Sequence, residues 1–504
     1  MKKSWSSLSL GATLLAGSAV LSRILGLIRD MVIAATFGVG HGEGIYALDA
    51  YYVAFRIPDL IYTFLVAGAM SAAFIPIYTK LKKKSQKEAS LFASRVIHGL
   101  LILLLIGAGV MWLLAPFFIP WMTPGFNEGM QEQTIVLTRI MLISPIFLGL
   151  SSVFQGIENS HKTFLGIALA PLLYNLSLIL GAWIWGESHG VQALAWGVVV
   201  GSILHFMIQW PSVLKTPFAY HWDWKLKTQV MKDFITLTLP RLLGIALTQL
   251  SVLVDTFLAS LLVVGSLSVY NYSLNLQSLP HGIVAVSVSI AVFSTLAEHE
   301  KDAKAFKETI FKSLHAILFW VLPAIAGLFL LRFEIVELLL QRGAFDAASS
   351  LRTSTMLGIF IWAALGQSLI PLFARAFYSL HDTKTPVLIA FFSLGVQIIL
   401  SLVLIQIYNL PVWALAISAI VGSSLNAVLL AIFIHSRINA RLSDYFNKKQ
   451  FFVLVNVSLM SCAVLITQSF TYPSLLLEVL SSATIGVLTY LLCSKLSQTI
   501  PRSL

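Results

Sequence analysis

The stretch Ser22-Arg23-Ile24-Leu25-Gly26-Leu27-Ile28-Arg29-Asp30 places two arginines and an aspartate inside a run that is otherwise apolar. An arginine at mid-bilayer costs about 2.5–3.5 kcal/mol on insertion scales, so an ionisable side chain at that depth usually faces a protein interior or a water-filled cavity. Counted from Leu8 at about 1.5 Å per residue, Arg23 lies roughly 22 Å along a helix and Arg29 near its far end. Arg23 is too deep to snorkel with ease, whereas Arg29 can reach the opposite interface.

Composition makes the surrounding chain a polytopic membrane protein. Of 504 residues, 58% are hydrophobic and 11% charged, and the mean hydropathy is +0.86, outside the range of soluble domains. The net charge of +11 would raise nucleic-acid binding in a soluble protein. Here the basic residues cluster between apolar spans as topology determinants, and no nucleic-acid partner is expected. Cys462 and Cys493 lie in late apolar segments and read as packing residues. Lys2 and Lys3 before an apolar run resemble a signal peptide, but the run continues through Arg23 and Arg29 to Phe37, too long for a cleaved segment.

Hydropathy gives fourteen candidate transmembrane helices, at 8–37, 46–79, 89–115, 134–158, 163–186, 190–214, 230–263, 266–297, 308–331, 350–379, 385–408, 411–436, 451–471 and 474–496. Fourteen is even, so both termini share a side. Most of the 33 basic residues fall on that side, including the run Lys80, Lys82, Lys83, Lys84 and Lys87, while the other side's loops hold Arg332, Arg342 and Arg352. The positive-inside rule makes both termini cytoplasmic. The Lys80–Lys87 run serves as a stop-transfer signal or attracts anionic head groups.

An internal repeat sets the architecture. Arg23-Ile24-Leu25-Gly26 corresponds to Arg241-Leu242-Leu243-Gly244, Pro58 to Pro280, and Lys162-Thr163 to Lys384-Thr385. Val191-Gln192-Ala193-Leu194-Ala195 with Gly201-Ser202 corresponds to Val412-Trp413-Ala414-Leu415-Ala416 with Gly422-Ser423. Four matches in register over some 220 residues give two parallel six-helix lobes, 1–216 and 225–438, with helices 13 and 14 (450–504) unpaired. Lobes of six helices share one membrane orientation, the arrangement of transporters that rock two bundles about a central site. A monomer is expected.

No phosphate-binding Gly-rich loop, His-Glu-x-x-His or clustered Cys/His spacing is present, so neither an ATP-driven step nor a metal is expected, and the chain does not read as an enzyme. The in-span charges carry the functional expectation instead. Arg23 and Asp30 share nearly one helix face, Arg29 is about 120° away, and a bend at Gly26 would turn both arginines to one cavity. Asp49 stands near the outer end of helix 2, Arg56 precedes Pro58 and Asp59, and Arg241 sits where the repeat equates it with Arg23. Converging guanidinium groups suit a phosphate-bearing anion, since the arginine fork binds phosphate bidentately. The alternative is internal neutralisation, Arg56 by Asp59 and Arg23 or Arg29 by Asp30 or Asp49. Asp255, deep in helix 7, is the carboxylate best placed for a coupling cation or, alternatively, a core residue with a protein partner.

At this point the residues carry a resemblance. Ser22 to Asp30 with Phe37-Gly38, and Asp49-Ala50-Tyr51-Tyr52-Val53-Ala54-Phe55-Arg56-Ile57-Pro58, resemble the signature of the MurJ (MviN) family of lipid II flippases. So do Gly68-Ala69-Met70-Ser71-Ala72-Ala73-Phe74-Ile75-Pro76, Arg342-Gly343-Ala344-Phe345-Asp346 and Phe377-Tyr378-Ser379-Leu380-His381-Asp382-Thr383-Lys384-Thr385-Pro386. The resemblance implies the multidrug/oligosaccharidyl-lipid/polysaccharide exporter fold, with a cationic central cavity and helices 13 and 14 lining a groove for a polyprenyl tail. It implies lipid II, the undecaprenyl-pyrophosphate-linked peptidoglycan precursor, as substrate, moved to the outer leaflet of the bacterial inner membrane for cell-wall synthesis. Arg23, Arg29, Asp49 and Arg56 fill the positions the family's motif gives to functional residues. This chain departs from the pattern at Tyr62 and Asn275, where many members carry arginine, and at Ala67, where they carry glutamate. Arg241 is then expected to supply the second lobe's cation. Coupling to Na+, H+ or the membrane potential is left open. The alternatives are a flippase for another polyprenyl-pyrophosphate glycan of the O-antigen or capsule type, a cation-coupled drug antiporter, which should show acidic cavity residues, and a non-transporting scaffold.

Overall fold

The computed structural model describes residues 2–39, 47–67, 70–438 and 448–501; within them the side chains of 2–10, 12, 67, 71–72, 240–241, 243–244, 247 and 283 are not described. Every regular element among the described residues is helical. The chain forms two compact units, residues 1–268 with 342–345, and residues 269–341 with 346–504.

The first unit holds α1 (Lys2–Phe37), α2 (Leu48–Tyr62), α3 (Ile75–Lys84), α4 (Gln86–Met122), α5 (Glu128–Met141), α6 (Ser144–His161), α7 (Leu165–His189), α8 (Gln192–Met207), α9 (Trp210–Leu214) and α10 (Gln229–Ser260). Local chemistry sets their starts. Ser85 accepts from the Glu88 N–H at 3.4 Å, Asn127 from the Met130 N–H at 2.9 Å and Thr228 from the Met231 N–H at 3.4 Å, each satisfying a backbone donor with no partner inside the helix. The core stacks Phe74 between Tyr78 and Phe92, both at 5.5 Å, with Phe234 of α10 edge-on to Phe92 at 5.9 Å. The segment after α9 has no regular structure and is tied to α4 by the Arg95–Asp223 ion pair at 2.7 Å and by His98 stacked on Trp224 at 4.2 Å.

The second unit holds α11 (Ser266–Pro280), α12 (Val286–Glu298), α13 (Ala303–Leu330), α14 (Arg332–Leu340), α15 (Ala347–Phe360), α16 (Ala363–Ser379), α17 (Lys384–Leu402), α18 (Trp413–Arg437), α19 (Lys448–Gln468) and α20 (Leu475–Leu496). Asp302 and Asp346 cap α13 and α15 through the N–H groups of Lys304 and Ser349. One core gathers Phe306, Ile310, Leu314, Phe373 and Phe377; a second joins Phe319 to Val453, Met460 and Tyr490.

Each of the fourteen predicted ranges falls, to within a few residues, on a helix or a run of helices where it is described. Nine helices among the described residues are long and apolar enough to cross a membrane, and ten if α15 and α16, bent by 42°, form one span. The predicted fourteen is not reached by that measure. That count takes in only the described residues, and parts of the predicted ranges 8–37, 46–79, 230–263 and 266–297 lie outside them in backbone or side chain. The repeat and the contacts also divide the chain differently. The repeat places α10 at the head of the second lobe, whereas Met231, Phe234 and the Gln249–Asp59 hydrogen bond pack it into the first unit.

Candidate functional site

The motif that opens the chain lies on one unbroken helix. α1 continues through Gly26, where an added Cβ would meet nothing within 4 Å, so Gly26 makes no close contact and interrupts no turn. Arg23 is exposed and Asp30 buried. Arg29 directs Nε and Nη2 to a single oxygen of its neighbour Asp30, at 3.0 and 2.8 Å, and Nη1 to Asn175 Oδ1 of α7 at 3.2 Å. Asn175 in turn donates to the Pro171 carbonyl at 3.0 Å and the Ser22 hydroxyl at 3.4 Å. Both ends of the motif thus meet on one amide of α7. The carboxylate next to it offsets the charge of Arg29, and the Arg29 side chain keeps 26% of its surface exposed.

Asp49 has a different occupation. It is 3% exposed and accepts three hydrogen bonds at the start of α11: from the Gly265 N–H at 2.7 Å, the Ser268 N–H at 2.8 Å and the Ser268 hydroxyl at 2.5 Å. Three donors satisfy a carboxylate without a cation. Arg56 is half-buried, and one turn on, Asp59 accepts from Gln249 of α10 at 3.3 Å. Tyr62, one of the departures from the family pattern, pairs its hydroxyl with Ser152 of α6 at 3.1 Å. Asp255 is buried on α10. The side chains of Arg241 and Ala67 lie outside the described residues, so the expectation for Arg241 rests on its helix position alone. Asn275 is half-buried on α11 in the second unit.

At the end of α1 the chain makes a reciprocal close approach. The Ala344 N–H donates to the Ala35 carbonyl at 2.8 Å. Gly343 (φ 58°) and Gly38 (φ 62°) both have left-handed backbones. A Cβ at Gly343 would fall onto the Ala35 carbonyl oxygen, and one at Gly38 onto the Ala344 carbonyl oxygen. Only glycine combines that backbone with that contact.

In the second unit, α13, α14, α19 and α20 enclose an apolar groove of about 310 Å³ lined by Trp320, Leu328, Met460, Val464, Gly486 and Tyr490 among others. The Tyr490 hydroxyl is already bound to the Phe319 carbonyl at 2.6 Å, which leaves the slot apolar. Other arginines are accounted for by aromatic faces: Arg139 lies 4.3 Å from the Trp112 ring, and Arg332 4.7 and 4.3 Å from Phe329 and Phe333. Among the described residues no group of three or more His, Cys, Asp or Glu side chains converges as metal ligands.

The sequence reading missed Asn175 and Gln249, although each is an amide in an apolar stretch. Their partners lie 146 and 190 residues away in the chain, and no periodicity links them.

The family model described as "Lipid II flippase MurJ" matches residues 33–485. A probable lipid II flippase MurJ of Bdellovibrio bacteriovorus is 31% identical over 83% of this chain and 80% of its own length. One from Thermotoga maritima is 30% identical over 94% of this chain and 93% of its own length. Among solved structures, a lipid II flippase MurJ in an inward closed conformation aligns with a TM-score of 0.81 at 26% identity, covering 97% of this chain and all of that one. An inward-facing multidrug transporter of the MATE family aligns at 0.68 with 14% identity over 83% of this chain and 94% of its own, a likeness of fold alone.

Proposed function

Since the chain belongs to the lipid II flippase MurJ family, we propose that it carries lipid II from the cytoplasmic to the outer leaflet of the bacterial inner membrane, as a transporter without a catalytic step. The observation that carries this reading is the network of Arg29, Asp30 and Asn175 on a helix of membrane-span length. A guanidinium held by one neighbouring carboxylate oxygen and one amide is oriented and partly exposed, and a diphosphate entering beside it offers the same bidentate acceptor geometry with more charge. Arg23, on the same helix and exposed, and Arg56, half-buried on α2, supply the further positive charge.

Asp49 enters this scheme as a tie on Gly265 and Ser268 rather than as a phosphate contact, because a carboxylate repels the anion and already accepts three hydrogen bonds. Arg241 and Asp255 on α10 stand for the second cationic contact and for coupling to a cation. The groove beside α19 and α20 takes the polyprenyl tail. Both termini are cytoplasmic by the distribution of lysines, and transport proceeds by alternating access of the two repeat lobes in a monomer.

The test is growth of a bacterium depleted of its own lipid II flippase. The parent chain should sustain growth. Arg23→Ala, Arg29→Ala and Arg56→Ala, each at normal membrane abundance, should reduce or abolish it, and Arg29→Lys should rescue poorly because lysine lacks the fork. Full growth with all three alanine variants would remove the arginines from the binding site, and failure of the parent chain would remove the function.

A further inference from the structure

The hairpin of α19 and α20 ends in a basic cleft. Lys448 and Lys449 begin α19, Lys495 stands in the last turn of α20, and with Phe452, Ser497 and Gln498 they line a cavity of about 710 Å³. Among the described residues no carboxylate lines it. Its wall is built rather than frayed. Asn456 Nδ2 lies 3.2 Å from Ser494 Oγ, 2.9 Å from Ser497 Oγ and 3.2 Å from Thr499 Oγ1. His315 Nε2 of α13 donates to the Thr499 carbonyl at 2.7 Å, and the Thr499 N–H returns to the Ser494 carbonyl at 3.0 Å. These bonds fix the turn after α20 to two other helices, so Lys495 projects from a held backbone. Lys448 is steered by the Phe452 ring, 5.9 Å from its ammonium.

The same two helices line the apolar groove. Met460 lies roughly 17 Å along α19 from Lys449, and Tyr490 roughly 8 Å along α20 from Lys495. A cationic end followed by an apolar slot along one hairpin matches an amphiphile with a phosphate head and a long hydrocarbon tail, and basic pockets between membrane helices on the cytoplasmic side recognise such head groups. We propose that Lys448, Lys449 and Lys495 dock the phosphate of a membrane lipid whose tail lies in the groove. This rests on the assignment of the groove as a tail slot. It adds a second anion site, separate from the arginines of α1 and α2.

The lipid phosphate has two sources, the transported polyprenyl diphosphate or the anionic phospholipid of the bilayer. The full-length protein in phosphatidylcholine nanodiscs should be titrated with undecaprenyl diphosphate, with phosphatidylglycerol as competitor. Joint Lys448→Gln, Lys449→Gln and Lys495→Gln should weaken undecaprenyl diphosphate binding roughly a hundredfold, since each lysine near a membrane phosphate contributes about fivefold. Joint Lys→Arg changes at the same positions should keep it within a few-fold. Displacement by phosphatidylglycerol at equal mole fraction assigns the cleft to bulk anionic lipid; resistance to it assigns the cleft to the polyprenyl lipid. Binding by the glutamine variant as tight as the parent's, with an unchanged unfolding temperature, overturns the proposal. Such a result beside a parent chain that sustains the depleted strain sinks the cleft alone, whereas lysine-dependent binding by a chain that cannot sustain growth sinks the transport reading alone.

Discussion

Asp49 and Arg29 show what a single residue discloses before its neighbours are known. Both announced themselves as charges in apolar runs, because an ionised group in a membrane span needs a partner. The partners were only half legible. Asp30 is next in sequence to Arg29, but Asn175, Gly265 and Ser268 are reached only through the fold. Gly343 combines a left-handed backbone with a close backbone contact. An alanine there takes on a left-handed backbone, costing about 1–2 kcal/mol, and collides with the Ala35 carbonyl, a backbone atom that cannot rotate away. Gly343→Ala is therefore expected to lower the unfolding temperature and impair complementation, and Gly38→Ala to do the same through Ala344. Wild-type stability and growth in both variants would show that the contact at the end of α1 is dispensable.

Among the elements, helix positions followed from hydropathy, whereas their interruptions did not. Pro58 lies inside α2; the helix continues past it and widens into the π turn Thr63–Ala67, and Pro280 in the second unit is followed directly by the π turn His281–Ala285. Proline lacks an N–H and crowds the carbonyl four residues back. A wider turn close by lets the helix recover its pairing without breaking, and such turns often mark functional sites. Helix starts are set more locally. In the His381-Asp382-Thr383-Lys384-Thr385 motif, Asp382 accepts from the N–H groups of Lys384 and Thr385 at 3.1 and 3.0 Å, from the Thr385 hydroxyl at 2.7 Å and from Arg437 at 2.6 Å. Partial burial pushes this carboxyl up, but the Thr385 and Arg437 contacts outweigh it and hold the carboxyl below its ordinary value. A group depressed in the folded state stabilises it above the unfolded pKa, and that contribution is lost as pH falls through the lower folded value. Asp382→Ala should cost about 1–2 kcal/mol at neutral pH, the loss of a cap. The difference between variant and parent in thermal unfolding should close as the pH drops below about 4. A pH-independent difference would mean that the carboxylate's charge is not what stabilises the α17 start.

At the scale of the whole molecule, the repeat is a reading of equal spacings in the sequence, which are the same in any conformation. It could not show that α10 packs with the half before it. Repeat membership is a property of sequence, whereas packing depends on Met231, Phe234 and Gln249 meeting α2 and α4 partners far away in the chain. The resemblance implied a groove along α19 and α20, but the share of α13 and α14 in an apolar groove, and the lysine cleft, were illegible for the same reason. Their lining comes from α13, α14, α19 and α20, none of which carries a motif on its own.

The adjacency of Arg29 and Asp30 also bears on how the chain enters the membrane at all. Asn175 follows Arg29 by 146 residues, so at a synthesis rate of about 5–20 residues per second it emerges roughly 7–30 s later. During that interval α1 must partition from the translocon into lipid without α7. Asp30 is already present, and an ion pair within one nascent turn lowers the cost of carrying a bare guanidinium into the bilayer. In a membrane-insertion assay of α1 alone, Asp30→Asn should reduce the inserted fraction. In the full chain Asn175→Ala should leave insertion unchanged and impair only the finished protein. Equal insertion with and without Asp30 would place the pair's value wholly after biogenesis, in the folded site.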